Sequence, residues 1–172
     1  MSLGTFSAWA VDKSVALVNL LIDHGETATR GQVHTLVAGY GVDEADVDVA
    51  GFLDLARRLH HSFQATDQTT RITRLNALLE RFQPSPRIVE HDAQDPHFHY
   101  VTADGPAVDH VGASMVMALA DAVVDQGADR FGWCEAPACE RLFFDRSRSR
   151  TQRFCSRGCA TRVHVAAHRA RA

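Results

Sequence analysis

Apolar residues recur along this chain at helical spacing, in runs separated by short polar stretches rich in capping residues. Between Asp12 and His24, Val15, Ala16, Leu17, Val18, Leu20, Leu21 and Ile22 are apolar nearly all round the helix, the pattern of a buried element. Asn19 sits inside that run, and a buried amide must find partners. Thr29 is placed to cap a short helix reaching Ala38, which Gly39-Tyr40-Gly41 stops. Asp43 or Asp46 opens a longer helix with the stripe Val49, Phe52, Leu53, Leu55, Ala56, Leu59 and Phe63. Thr66-Asp67 breaks it. Asp67 caps the next helix, whose inner face carries Ile72, Leu75, Leu78, Leu79 and Phe82.

The periodicity then changes. Pro84-Ser85-Pro86 ends the helical pattern, since proline removes a backbone donor and disfavours helix in the residue before it. Residues 87–91 and 98–102 read as two short strands around a polar stretch, which predicts a hairpin. Asp109 is placed to cap an apolar helix from Val111 to about Asp125, with Ser114, Met115, Met117, Ala118 and Val124 suited to a central, closely packed element. Gly127-Ala128-Asp129 is the natural joint to the C-terminal segment. The expectation is a mostly α protein with one small β-hairpin: a helical domain over residues 1–129 and a small four-cysteine module over 130–172.

The cysteines carry the candidate chemistry. The chain has four, as Cys134-x4-Cys139 and Cys155-x3-Cys159, with fifteen residues between the pairs. Two close pairs brought together by a folded-back loop meet the ligand count of one tetrahedral Zn²⁺. Cys155 and Cys159 have i,i+4 spacing, which places them on one helix face. Two disulfides, or four unrelated buried thiols, are the other readings. No signal peptide is expected at Met1-Ser2-Leu3-Gly4, and no apolar run is read as long enough to span a bilayer. A cytoplasmic chain with reduced thiols is therefore expected. Four thiolates leave a zinc ion no open position, so the zinc is structural.

Charge divides the chain at the same joint. Residues 130–172 hold ten arginines, no lysine and three acids, for a net +7, whereas residues 1–129 carry −10. A basic module on an acidic body points to a polyanionic partner such as DNA, or to attraction between the two halves. In the loop between the cysteine pairs, Arg146-Ser147-Arg148-Ser149-Arg150 suits phosphate contacts. If Ser156 begins a helix, Cys155, Cys159, Arg162 and Ala166 share one side, while Arg157, Thr161, His164, His168 and Arg171 form another. The candidate nucleic-acid contacts are Arg148, Arg150, Arg153, Arg157, Arg162 and His164. Arg162, on the metal side, has the alternative of offsetting thiolate charge. Asn19 and Asn76, with Arg57 or Arg58, are candidates for a small-ligand pocket in an apolar interior; an internal hydrogen-bond network is the alternative. Phe143 and Phe144 are assigned to the module's own core, and Phe131 and Trp133 to docking it on the body. His91, His97 and His99 fall near one hairpin and could bind a second metal, but a hydrated rim explains them more simply.

Phe131-Gly132-Trp133-Cys134, Cys139, Leu142-Phe143-Phe144-Asp145, Arg153-Phe154-Cys155, Cys159 and His168-Arg169-Ala170-Arg171 together resemble the CGNR zinc-finger family of bacterial proteins. The helices and hairpin upstream resemble the ABATE-type domain that precedes this finger, with Val18-Asn19 matching a valine-asparagine pair of its first helix. Where the family reads Cys-Gly-Asn-Arg, this chain reads Cys159-Ala160-Thr161-Arg162. The resemblance implies a stress-related transcription regulator. No phosphate-binding glycine loop, nucleophile elbow or His-Glu-x-x-His helix is present, so no enzyme is expected. The reading is a DNA-binding regulator with one structural Zn²⁺ and no membrane association. Its first domain would sense a small-molecule effector or assemble as a homodimer. A protein-interaction scaffold, or a small-molecule-binding protein that does not touch DNA, are the alternatives.

Overall fold

The structure, a computed structural model, describes residues 5–90, 96–100 and 105–171. The first apolar run forms α1, Thr5–His24, which begins about two turns ahead of Asp12. Ala10, Val11, Ser14, Leu17 and Val18 on it are buried. Thr29 caps α2, Arg30–Val37, as expected: its hydroxyl accepts from Gln32 N–H, and Gln32 Oε1 accepts in return from Thr29 N–H at 2.8 Å, a reciprocal capping box.

Neither Asp43 nor Asp46 opens the third helix. Asp43 stands at the N-cap and Asp46 at the end of a single 3-10 turn, Glu44–Asp46, and α3 spans Val49–Phe63 after Asp48. Val47 between them is drawn into the core, and that inward turn separates the two elements. Asp67 does cap α4, Gln68–Phe82, accepting from Thr70 N–H at 2.8 Å. Leu75, Leu78 and Phe82 face inward, whereas Ile72, expected on the same face, is exposed.

Strands β1, Pro86–Val89, and β2, His97–Tyr100, pair antiparallel with Ile88 opposite Phe98. This is the hairpin expected; His91, Val101 and Thr102 lie outside the described residues. The central helix is α5, Ala107–Gln126, packed on α1 and α4. Pro106 stands at its N-cap, and Asp109 falls within the first turn, where it pairs with Arg81 at 3.3 Å. A carboxylate there still complements the helix dipole. Ser114, Met115 and Ala118 are buried as expected, but Val124 is 83% exposed, on the side of α5 away from buried Ala122. Gly112 lies under the Phe82 ring, which occupies the space of a side chain. Contrary to the expectation that no apolar run has bilayer length, α5 is long and apolar enough to cross a membrane, and half of it is buried inside the fold.

A second strand pair, which the sequence pattern does not predict, comes after a 3-10 turn at Ala128–Arg130. β3, Phe131–Trp133, pairs antiparallel with β4, Leu142–Phe144. The last helix is α6, Arg157–Arg169, with Ser156 as its N-cap. Gly127, at φ 93°, turns the chain between α5 and the 3-10 turn, just ahead of the expected 129/130 boundary. Packing runs across it. Phe131, Leu142 and Phe144 belong to the same core as α1, α3 and α5. Phe131 stacks on Phe63 with centroids 4.5 Å apart, and Trp133 Nε1 donates to Phe63 O at 3.3 Å. Phe131 and Trp133 thus dock the second region on the first. Phe144 joins the body's core and not a separate one, because β4 lies along α1.

Candidate metal centre and basic surface

The two cysteine pairs come from different local structures. Cys134 continues β3, its N–H donating to Arg141 O at 2.9 Å, and Cys139 N–H closes a turn onto Ala136 O at 3.1 Å. Ala138 bends that turn through φ 59°. Cys155 precedes the Ser156 cap and Cys159 lies in the first turn of α6, its N–H donating to Ser156 Oγ at 3.2 Å. Glu135 N–H donates to Arg153 O at 2.9 Å and so ties one segment to the other.

All four sulfurs lie within 4.8 Å of one another. Cys139–Cys155 and Cys155–Cys159 are 3.7 Å apart and Cys139–Cys159 3.8 Å. A tetrahedron with Zn–S bonds of about 2.3 Å has edges of about 3.8 Å. The thiols are free, so the disulfide reading is excluded. Nor are they unrelated: they form a cluster with Ala136, Phe154 and Val163 packed around it.

The electrostatics fit a dication. The Ser156 hydroxyl holds the Cys159 thiol down to about 6. Burial, followed by the neighbouring sulfurs, pushes Cys155 up to about 12. Four thiols this close cannot all ionise without a cation between them; a bound Zn²⁺ displaces the protons and compensates the charge. Arg162 donates to Cys159 Sγ at 3.2 Å. That is the metal-side role, the alternative to phosphate contact.

Most of the basic loop faces the body. Arg141 pairs with Asp23, Arg146 with Asp12 at 2.7 Å, and Arg150 with Asp129 at 3.1 Å. Arg153 donates to Glu135 at 2.6 Å. Arg150 and Arg153, two of the expected phosphate contacts, are therefore already neutralised. Arg148, Arg157, Arg169 and His164 are exposed and have no carboxylate partner among the described residues. Every residue of α6 from His164 onward is exposed, and Arg157, Thr161, His164 and His168 share one helical stripe.

Asn19 does not present its amide to a ligand. Its Nδ2 donates to Leu142 O at 3.0 Å, and its Oδ1 accepts from Leu142 N–H at 2.9 Å. The backbone of β4 takes the place of the small molecule. Asn76 is exposed on α4, Arg57 pairs with Glu26, and Arg58 with Asp54 at 2.6 Å. These groups do not converge. Of the hairpin histidines, His91 is outside the described residues, and the register sets His97 opposite Val89 and His99 opposite Arg87.

Asp145 is a loop-organising residue that the sequence pattern alone does not single out. It is buried and organises the loop after β4, accepting from Ser147 N–H at 2.7 Å and Gln152 N–H at 3.0 Å. Burial raises its pKa, but those donors and the Arg130 charge outweigh burial and hold it below the usual carboxylate value. Its place one residue after an apolar run and two before Ser147 is the signature of an Asx turn.

A closed four-thiolate centre joining two chain segments, on a helical body, defines a structural zinc site. Residues 130–172 match the family model described as the CGNR zinc finger. No curated protein matches the chain. The four cysteines hold one structural zinc ion.

Proposed function

We propose that this chain is a cytoplasmic DNA-binding transcription regulator that contacts duplex DNA through α6 and the tip of the 146–150 loop. The observation that carries the reading is the division among the arginines. Arg141, Arg146, Arg150 and Arg153 are paired with acids, while Arg148, Arg157, Arg169 and Arg171 are not. The unpaired set lies where the acidic body leaves the chain uncovered. Arginine forks onto phosphates and guanine edges, and a helix fixed at its N-terminal end by metal is suited to enter a major groove. The ABATE-like body, residues 1–129, is assigned to assembly, since Asn19 and Asn76 do not build an effector pocket.

The test is binding of the zinc-loaded chain to random duplex DNA across salt concentrations. Neutralising about four phosphates predicts a slope of log affinity against log salt near −3.6. Arg148→Ala should flatten it by about 0.9, and Arg150→Ala by less, because Arg150 is already paired with Asp129. Arg157→Ala should alter sequence preference. Absence of salt-sensitive affinity at low ionic strength would leave the second reading, a protein-interaction module. That reading draws on the exposed cross-strand pair Ile88 and Phe98.

A further inference from the structure

The four sulfurs of the metal site are not equivalent. Cys134 and Cys159 are buried, whereas Cys139 and Cys155 are partly exposed. A cleft of about 740 Å³ between the end of α1 and the two cysteine segments opens onto Cys139, Cys155 and the edge of Cys159, with Ile22, Asp23 and Arg162 on its walls. Cys134 does not line it.

Hydrogen bonding separates them further. Cys134 Sγ accepts from Cys155 N–H at 3.4 Å and Cys159 Sγ from Arg162 at 3.2 Å, while the Arg141 backbone amide favours the Cys139 thiolate. Cys155 Sγ accepts no N–H among the described residues; its neighbours are sulfurs. An N–H···S bond withdraws electron density from a thiolate and lowers its nucleophilicity. Cys155 alone combines solvent access with an undamped sulfur.

We infer that Cys155 is the reactive sulfur of this site, a modification point for small peroxides, and that Cys139 is the thiolate that resolves it. The Cys155 thiolate attacks one oxygen of hydrogen peroxide, the O–O bond breaks, and the departing hydroxide takes a proton to become water. Cys155 is thereby oxidised by two electrons to the sulfenic acid. The Cys139 thiolate, 3.7 Å away, attacks that sulfur. An S–S bond forms, the S–O bond breaks, and a second hydroxide leaves as water. Two thiolates, one peroxide and two protons give one disulfide and two waters. Cys159 is equally near but is buried and held by Arg162. After the step the site keeps two thiolates, too few to retain the ion. The inference rests on the metal site alone and does not depend on DNA binding.

The first experiment treats the zinc-loaded full chain with substoichiometric iodoacetamide and maps the labelled peptides. Cys155 should be labelled about tenfold faster than Cys134 or Cys159. Equal labelling of all four, or first labelling at Cys134 or Cys159, overturns the assignment. The second adds hydrogen peroxide with a chromogenic chelator present. Zinc should appear in step with a Cys139–Cys155 disulfide; oxidation that joins Cys155 to Cys159, or that leaves the zinc bound, overturns the resolving step. Cys155→Ser also removes a ligand, so the third uses Arg162→Ala. Removing that donor should raise the labelling rate of Cys159 several-fold, by about threefold or more; an unchanged rate overturns the damping argument.

Discussion

The two hairpins of this protein are built alike and held differently. β1–β2 has four residues per strand and β3–β4 three. In the longer pair Ile88 is 72% and Phe98 52% exposed, although they face each other across the ladder. In the shorter pair Leu142 is 1% and Phe143 7% exposed. Two isolated strands are marginally stable in water. The difference shows that the ladder itself decides little. β3–β4 is held by what its strands meet: the core of α1 and α3, the Asn19 amide, and the metal site at its open end. Among the described residues, β1–β2 meets the core through Tyr100 of β2, which packs on α5.

Zinc removal should break the comparison most strongly. A structural zinc contributes on the order of 10 kcal/mol to the folding of a small finger. Chelation should erase amide protection over residues 131–171 and leave β1–β2 unchanged, as read by hydrogen exchange. Because Phe131, Leu142 and Phe144 lie in the shared core, the melting temperature of α1 and α3 should fall as well. A body that melts identically with and without zinc would show that the shared core contributes little.

Side-chain truncation sharpens the contrast. Phe144→Ala should cost about 3–5 kcal/mol in urea unfolding, while Ile88→Ala should stay within about 0.5 kcal/mol. Asn19→Ala removes both bonds to Leu142 and should cost about 1–3 kcal/mol; Asn76→Ala, on a solvated face, should change stability by less than about 0.5 kcal/mol.

The smallest effect concerns the loop after β4. Asp145 has a depressed pKa in the folded chain. Its contribution is therefore complete above the unfolded carboxylate value of about 3.9 and is lost as pH falls through the lower folded value. Protection of the Ser147 and Gln152 amides, taken relative to their intrinsic exchange rates, should fall only below about pH 4, and Asp145→Asn should remove that pH dependence.

Much of the frame is legible in the sequence because it is local. The Thr29 and Asp67 caps, the i,i+4 cysteines and the stripe on α3 each depend on residues within a turn or two. The misses depend on distant partners. Phe131–Trp133 and Leu142–Phe144 are too short to show alternation, and the cysteine turn between them brings them together. Asn19 needs partners wherever it is buried, but only the fold identifies Leu142, 123 residues away. The metal set is readable in full. The basic surface is readable only as a total, since Asp12, Asp23 and Asp129 decide which arginines remain free.

Asp12, Asn19 and Asp23 stand on one stripe of α1, about 16 Å long at 1.5 Å per residue, and they meet Arg146, Leu142 and Arg141 in reverse chain order. Mechanically, this is a lap joint and not a zipper. A load applied to α6 passes through the cysteines into β4 and is shared by three fastenings in shear, so none can open before the others are strained. A force on the last helix therefore does not peel it from the body one contact at a time.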